Sequence, residues 1–129
     1  MCVLPRKMIR FMPFKKREVQ RWLNDILYNV DLALQFTCDL DLQTFENDAR
    51  TIYAVTRCLE IISEASRRLP EELKTRHINI PWRQMAGAGN IYRHDYEDVA
   101  AHYVWETVQL ALPPLVVIVK EELNRLEML

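Results

Sequence analysis

A chain of 129 residues, half of them hydrophobic, has the length of one ordinary domain and can bury a core without metal or disulfide staples. Its net charge of −1 excludes a protein built to coat nucleic acid with a uniformly basic surface. The three cysteines, Cys2, Cys38 and Cys58, are odd in number, widely spaced and without a Cys-x-x-Cys pair. That pattern speaks against a disulfide framework and a thiol zinc site, and for a reducing cytoplasm.

The near-balance in charge hides an asymmetry. Arg6, Lys7, Arg10, Lys15, Lys16 and Arg17 all precede the first acid, Glu18, so six of the 17 basic residues lie at the front and the other 11 face all 18 acids. Lys7 and Arg10 cut the apolar residues of this front into runs too short for a secretory signal. Residues 1–17 are therefore expected to form a basic, flexible extension ahead of a helical domain over 18–129. No stretch approaches the roughly 18 uninterrupted apolar residues of a membrane span. A soluble, cytoplasmic protein with no membrane partner is expected.

From Glu18 onward the periodicity is helical. In REVQRWLNDILYNVDLALQF, Val19, Trp22, Leu23, Ile26, Leu27, Val30 and Leu34 recur at steps of three and four, which lines one helix face with apolar bulk. DLDLQTFENDARTIYAVTRCLEIISEASRRLP places Ile52, Val55, Leu59, Ile62, Ser66 and Leu69 on a second seam, predicting one long helix that stops before Pro70. PEELKTRH opens on proline and two acids, the chemistry of a helix first turn. A short fourth helix follows Pro81, with Trp82 and Met85 three apart. The last segment carries Val104, Val108, Ala111, Leu115 and Ile118 on one face, with Pro113 and Pro114 forcing a kink or break. No stretch pairs strict alternation with hairpin chemistry, so the fold class is all-α: an antiparallel bundle of about five helices.

Gly87 and Gly89 are the only glycines, and each costs about 1 kcal/mol relative to alanine inside a helix. The pair is expected to mark a bend, a close packing approach or a backbone that leaves room for something. Directly after it come Asn90, Arg93, His94 and Tyr96, four polar side chains suited to proton transfer, phosphate binding and hydrogen bonding. The same residues also suit a helix junction that is merely capped, and spacing alone does not separate the two. Asp98 and His102 form one i, i+4 pair, too little for a metal centre without a second cluster.

At these residues the chain resembles a known family. EIISEASRRLPEELKTRHINIPWRQMAGAGNIYRHDYEDVAAHYVWETVQLALPPL holds, in order, a Glu-Ala-Ser block, a Pro-Trp-Arg segment, a His-x-Tyr motif and a Trp-x-x-Val…Leu-Pro-x-Leu tail. It is similar to the HepT-like branch of the HEPN proteins over roughly Trp22 to Leu123. The resemblance implies a small helical homodimer that cleaves single-stranded RNA without metal or cofactor, with no DNA target. It further implies a toxin paired with a minimal nucleotidyltransferase antitoxin, which silences it by placing AMP on the motif tyrosine.

Carried onto this chain, His94 is the motif histidine, Tyr96 the motif tyrosine and site of AMP attachment, and Asn90 the motif asparagine. The motif arginine position holds Gly89. Arg93 is the first candidate to supply a guanidinium from another backbone position, and Arg83 the second, though a structural ion pair with Glu64 suits Arg83 better. His77, in a polar loop, and His102, on a helix face, are weaker candidates for catalysis. A non-catalytic HepT-like binding module, its nuclease lost at Gly89, is the alternative reading.

Overall fold

The computed structural model describes the backbone of residues 3–87 and 98–129, and the side chains of 15–87 and 101–129. Its elements are α1 (Val3–Thr37), α2 (Leu42–Glu46), α3 (Ala49–Arg68), α4 (Glu71–Arg76), α5 (82–87), α6 (Asp98–Glu106), a π-helical turn (Thr107–Ala111) and α7 (Leu112–Glu127). Among the described residues there is no strand, as the missing alternation predicts.

The predicted faces point inward. Val19, Leu23, Ile26, Val30 and Ala33 of α1 are buried, with Trp22, Leu27 and Leu34 packed at the margin. Thr37 closes the helix by donating its hydroxyl to the Ala33 carbonyl at 2.9 Å, so its burial leaves no polar group unpaired. The helix runs from Val3 without a break at residues 17 and 18. Against it lies α3, whose Val55, Leu59, Ile62, Ala65 and Ser66 are buried. The two helices are antiparallel: Lys15 and Glu18 line a groove with Pro70 and Glu71, whereas Arg21 and Asp25 line one with Arg57 and Glu60. α7 packs on the same central helix.

Two local departures have physical causes. The long second helix divides into α2 and α3, because Asp41 and Asp48 each act as an N-cap. Asp41 Oδ1 accepts from Thr44 N–H at 2.8 Å. Asp48 accepts from Thr51 N–H at 3.1 Å and from the Thr51 hydroxyl at 2.7 Å. These bonds hold both carboxyls below the usual carboxylate range. The division lets α2 turn Phe45 into the core, its ring centroid 5.3 Å from that of Trp105 on α6.

The second departure is at the proline pair. Pro113 and Pro114 have no N–H for the carbonyls of Gln109 and Leu110, and the helix responds one turn earlier by widening: Leu112 N–H bonds back to the Thr107 carbonyl, five residues away. The extra residue shifts the seam, so Val104, Val108, Leu112, Leu115 and Val119 are buried. Ala111 and Ile118, expected inside, are half-buried. Ala101–Glu127, though it has no run of uninterrupted apolar residues of that length, is by length and overall composition alone apolar enough to cross a membrane. Its inner face is occupied by the bundle core.

Candidate functional site

Segment 88–97 joins α5 to α6, and the described residues on its approach are held by two sets of contacts. One begins at α7. Glu122 is 1 % exposed and receives Arg76 through Nε at 3.1 Å and Nη2 at 2.7 Å, while His77 Nε2 lies 2.6 Å from its Oε2. Burial alone would push the Glu122 carboxyl up, but the hydrogen bonds and charges of Arg76 and His77 outweigh it and hold the carboxyl below its usual range. This ties the end of α4 to α7. Trp82 passes the constraint on: its indole N–H is shared between the Lys74 carbonyl at 3.1 Å and the His77 carbonyl at 3.0 Å. The Pro-Trp-Arg segment therefore starts α5 from a fixed point.

The other set comes from α3. Ser63 Oγ donates to the Ala86 carbonyl at 3.1 Å, and Arg67 Nη2 donates to the same oxygen at 2.7 Å. Arg67 Nη1 donates to Glu64 at 2.7 Å, and Arg68 Nε reaches the other oxygen of that carboxylate at 3.2 Å. Between α3, α5 and the π-helical turn is a small cleft of about 110 Å³, mostly apolar, lined by Leu59, Ser63, Met85, Tyr103 and Thr107 among others. The arrangement fixes the Arg67 guanidinium at the end of α5, and Ser63, which bonds the same carbonyl, also lines the cleft.

The site residues named from the sequence fall mainly outside this frame. Asn90, Arg93, His94 and Tyr96, with Gly89, lie outside the described residues. Gly87 ends the described part of α5 with open space where a Cβ would stand and no positive φ, so neither close packing nor strain requires glycine there. Arg83 is exposed and makes no ion pair among the described residues; Glu64, its expected partner, is taken by Arg67 and Arg68. His77 is not a loop residue free for chemistry but a clamp on Glu122. His102 lies 3.5 Å from Glu106, with both side chains half-exposed. Among the described residues no three His, Cys, Asp or Glu side chains are grouped to hold a metal ion.

Arg67 is the residue that sequence reasoning missed. Two arginines in the last turn of a helix read as partners of the helix dipole, and no spacing rule connects Arg67 to a carbonyl 19 residues away.

The Ribonuclease HepT-like family matches residues 26–122, most of the chain. "Probable ribonuclease HepT" of Thermococcus cleftensis is 38 % identical over 100 residues, covering 78 % of this chain and 91 % of the relative. "Putative RNase MJ0125" of Methanocaldococcus jannaschii is 36 % identical over 100 residues, covering 78 % and 86 %. "Putative RNase TTE0752" of Caldanaerobacter subterraneus is 32 % identical over 104 residues, covering 81 % and 93 %. No solved structure matches the chain. These relatives support a ribonuclease function. With its helical fold and a match that runs from α1 into α7, the chain belongs to the Ribonuclease HepT-like family.

Proposed function

We propose that this chain is a metal-independent endoribonuclease toxin acting on single-stranded RNA in the cytoplasm. The observation that carries the reading is the family match across residues 26–122, which encloses His94 and Tyr96. Cleavage begins when the RNA 2′-oxygen attacks its neighbouring phosphorus. A base removes the 2′-OH proton, an acid protonates the departing 5′ oxygen, and the P–O5′ bond breaks to leave a 2′,3′-cyclic phosphate and a 5′-hydroxyl. His94 is the proton-transfer group, because an imidazole titrates near neutrality. Tyr96 and Asn90 position the phosphate by hydrogen bonding. One chain has one motif histidine, so base and acid together call for a homodimer that brings two copies to one phosphate. Leu110 in the π-helical turn and Val117 on α7, 73 % and 65 % exposed, suit such an interface.

The antitoxin in this reading is a minimal nucleotidyltransferase. The Tyr96 hydroxyl attacks the α-phosphorus of ATP, the phenolic proton is released and pyrophosphate leaves. The resulting tyrosyl-AMP fills the RNA groove with a charged, bulky group. Intact-mass measurement after incubation with the transferase and ATP is the test: an unmodified chain, or a modification that survives Tyr96→Phe, contradicts the assignment. Cleavage of single-stranded RNA in EDTA, lost in His94→Ala at unchanged helix content, tests the nuclease itself.

Gly89 favours a second reading, a non-catalytic module that keeps only dimerisation and transferase binding. Tight transferase binding without RNA cleavage at any pH or salt would establish it. The two readings differ in whether another residue brings a cation to the phosphate.

A further inference from the structure

We propose that the groove between α1 and α3 binds single-stranded RNA, with arginines of both helices holding phosphates and Tyr28 and Tyr53 stacking on bases. The inference rests on the ribonuclease reading above and gives it a surface that holds the substrate.

The first observation is the charge of α3. Its exposed positions are Ala49, Arg50, Tyr53, Arg57, Arg67 and Arg68, four arginines and a tyrosine without an acid, on a chain whose net charge is −1. The positive excess is therefore local, which lets one face attract a phosphate chain on a protein that is not basic as a whole. Arg50, Tyr53, Arg57, Glu60, Glu64 and Arg68 follow one another at steps of three and four, so they share a helix face.

The second observation is what stands opposite that face. Arg57, Glu60, Glu64 and Arg68 form one wall of a groove of about 390 Å³, and Arg21, Trp22 and Asp25 of α1 form the other. The helices are antiparallel, so one more turn leads from Asp25 to Tyr28 on α1 and from Arg57 to Tyr53 on α3, toward the same end of the groove. These tyrosines are 65 % and 71 % exposed, and neither makes a hydrogen bond or ring contact among the described residues. A ring so exposed adds little to the core but offers a face on which a base can stack.

The guanidinium groups are available. Arg21 makes no ion pair among the described residues, and Arg57 and Arg68 meet Glu60 at 3.5 Å and Glu64 at 3.1 Å in solvent-exposed pairs that a phosphate can replace at little cost. The acids define the occupant further. Asp25 and Glu60 repel phosphates but accept from exocyclic amino groups, which an unpaired strand can turn toward them. A protein partner fits less well, because the interface cores that proteins bury are depleted in charged residues.

The experiment is fluorescence anisotropy of the full chain with a labelled single-stranded 2′-O-methyl oligonucleotide, whose blocked 2′-oxygen prevents cleavage. Tyr53→Ala is expected to weaken binding about 5- to 150-fold, the span for one lost stack, whereas Tyr53→Phe, which keeps the ring, should stay within about twofold of the parent. Arg21→Gln and Arg57→Gln should each flatten the plot of log Kd against log salt by about 0.7, one phosphate contact on a single strand. A merely structural role would not move that slope. In RNA cleavage with EDTA the same variants should raise KM at unchanged kcat. All three positions are exposed, so circular dichroism should match the parent. Unchanged affinity and salt slope overturn the inference and leave the nuclease reading standing, as does loss of nucleotidyltransferase binding with RNA binding intact. An equal loss in Tyr53→Phe overturns the stacking role. A parent that binds RNA through the groove yet cleaves none overturns the nuclease reading alone, and one that binds no RNA overturns both.

Discussion

Glu122 on α7 and Glu64 on α3 each gather two basic residues at hydrogen-bond distance, yet the first side chain is 2 % exposed and the second 47 %. The difference in water decides what each cluster does. Around Glu122 there is little solvent to take the place of a lost partner, so Arg76 and His77 serve as a lock between α4 and α7. Around Glu64 water competes with every contact, and the pairing contributes little to stability. The same residue types thus give strong cohesion where water is excluded and little where it is not.

The largest effect that would test this contrast is on the lock. Arg76→Ala leaves the buried carboxylate, among the described residues, with His77 and the longer Arg125 contact at 3.6 Å, and is expected to cost about 3 kcal/mol in urea denaturation. Replacing both partners, Arg76→Met with Glu122→Leu, should cost clearly less than the single change, because no charge is then stranded. Equal losses for single and double variants would break the account of Glu122 as a stranded charge.

A smaller effect appears on acidification. The folded Glu122 carboxyl lies below its ordinary value of 4.5. Its contribution is therefore complete above the unfolded value and lost as pH falls through the lower folded one. Urea midpoints taken from neutral pH down through this window should fall less steeply for Glu122→Gln than for the parent. Asp41 and Asp48 carry shifts of the same sign, so some slope remains in the variant. Identical acid limbs would remove Glu122 from the argument.

The smallest stability effect belongs to the exposed cluster. Arg68→Ala breaks an i, i+4 pair with Glu64 at 3.1 Å and should change stability by no more than about 0.5 kcal/mol. A loss approaching that of Arg76→Ala would show that exposure does not govern the two clusters as described.

Much of the fold was legible in the residues. Steps of three and four marked the buried faces of α1 and α3, and Pro70 marked the end of α3, because helix geometry repeats every 3.6 residues and proline constrains the residue before it. The division of α2 from α3 was legible too, in Asp41 and Asp48 three residues ahead of Thr44 and Thr51, but a continuous apolar seam masked those caps. The His-x-Tyr motif and its ordered neighbours identified the family through residues 26–122. Tertiary structure alone decided the rest. Glu122 meets Arg76 from 46 residues away, Arg67 meets Ala86 from 19, and the π-helical turn sets which residues of the last helix face inward. Periodicity is a property of one helix by itself. Which carboxylate is buried, and which arginine is left facing solvent, depends on how separate helices pack and where they exclude water.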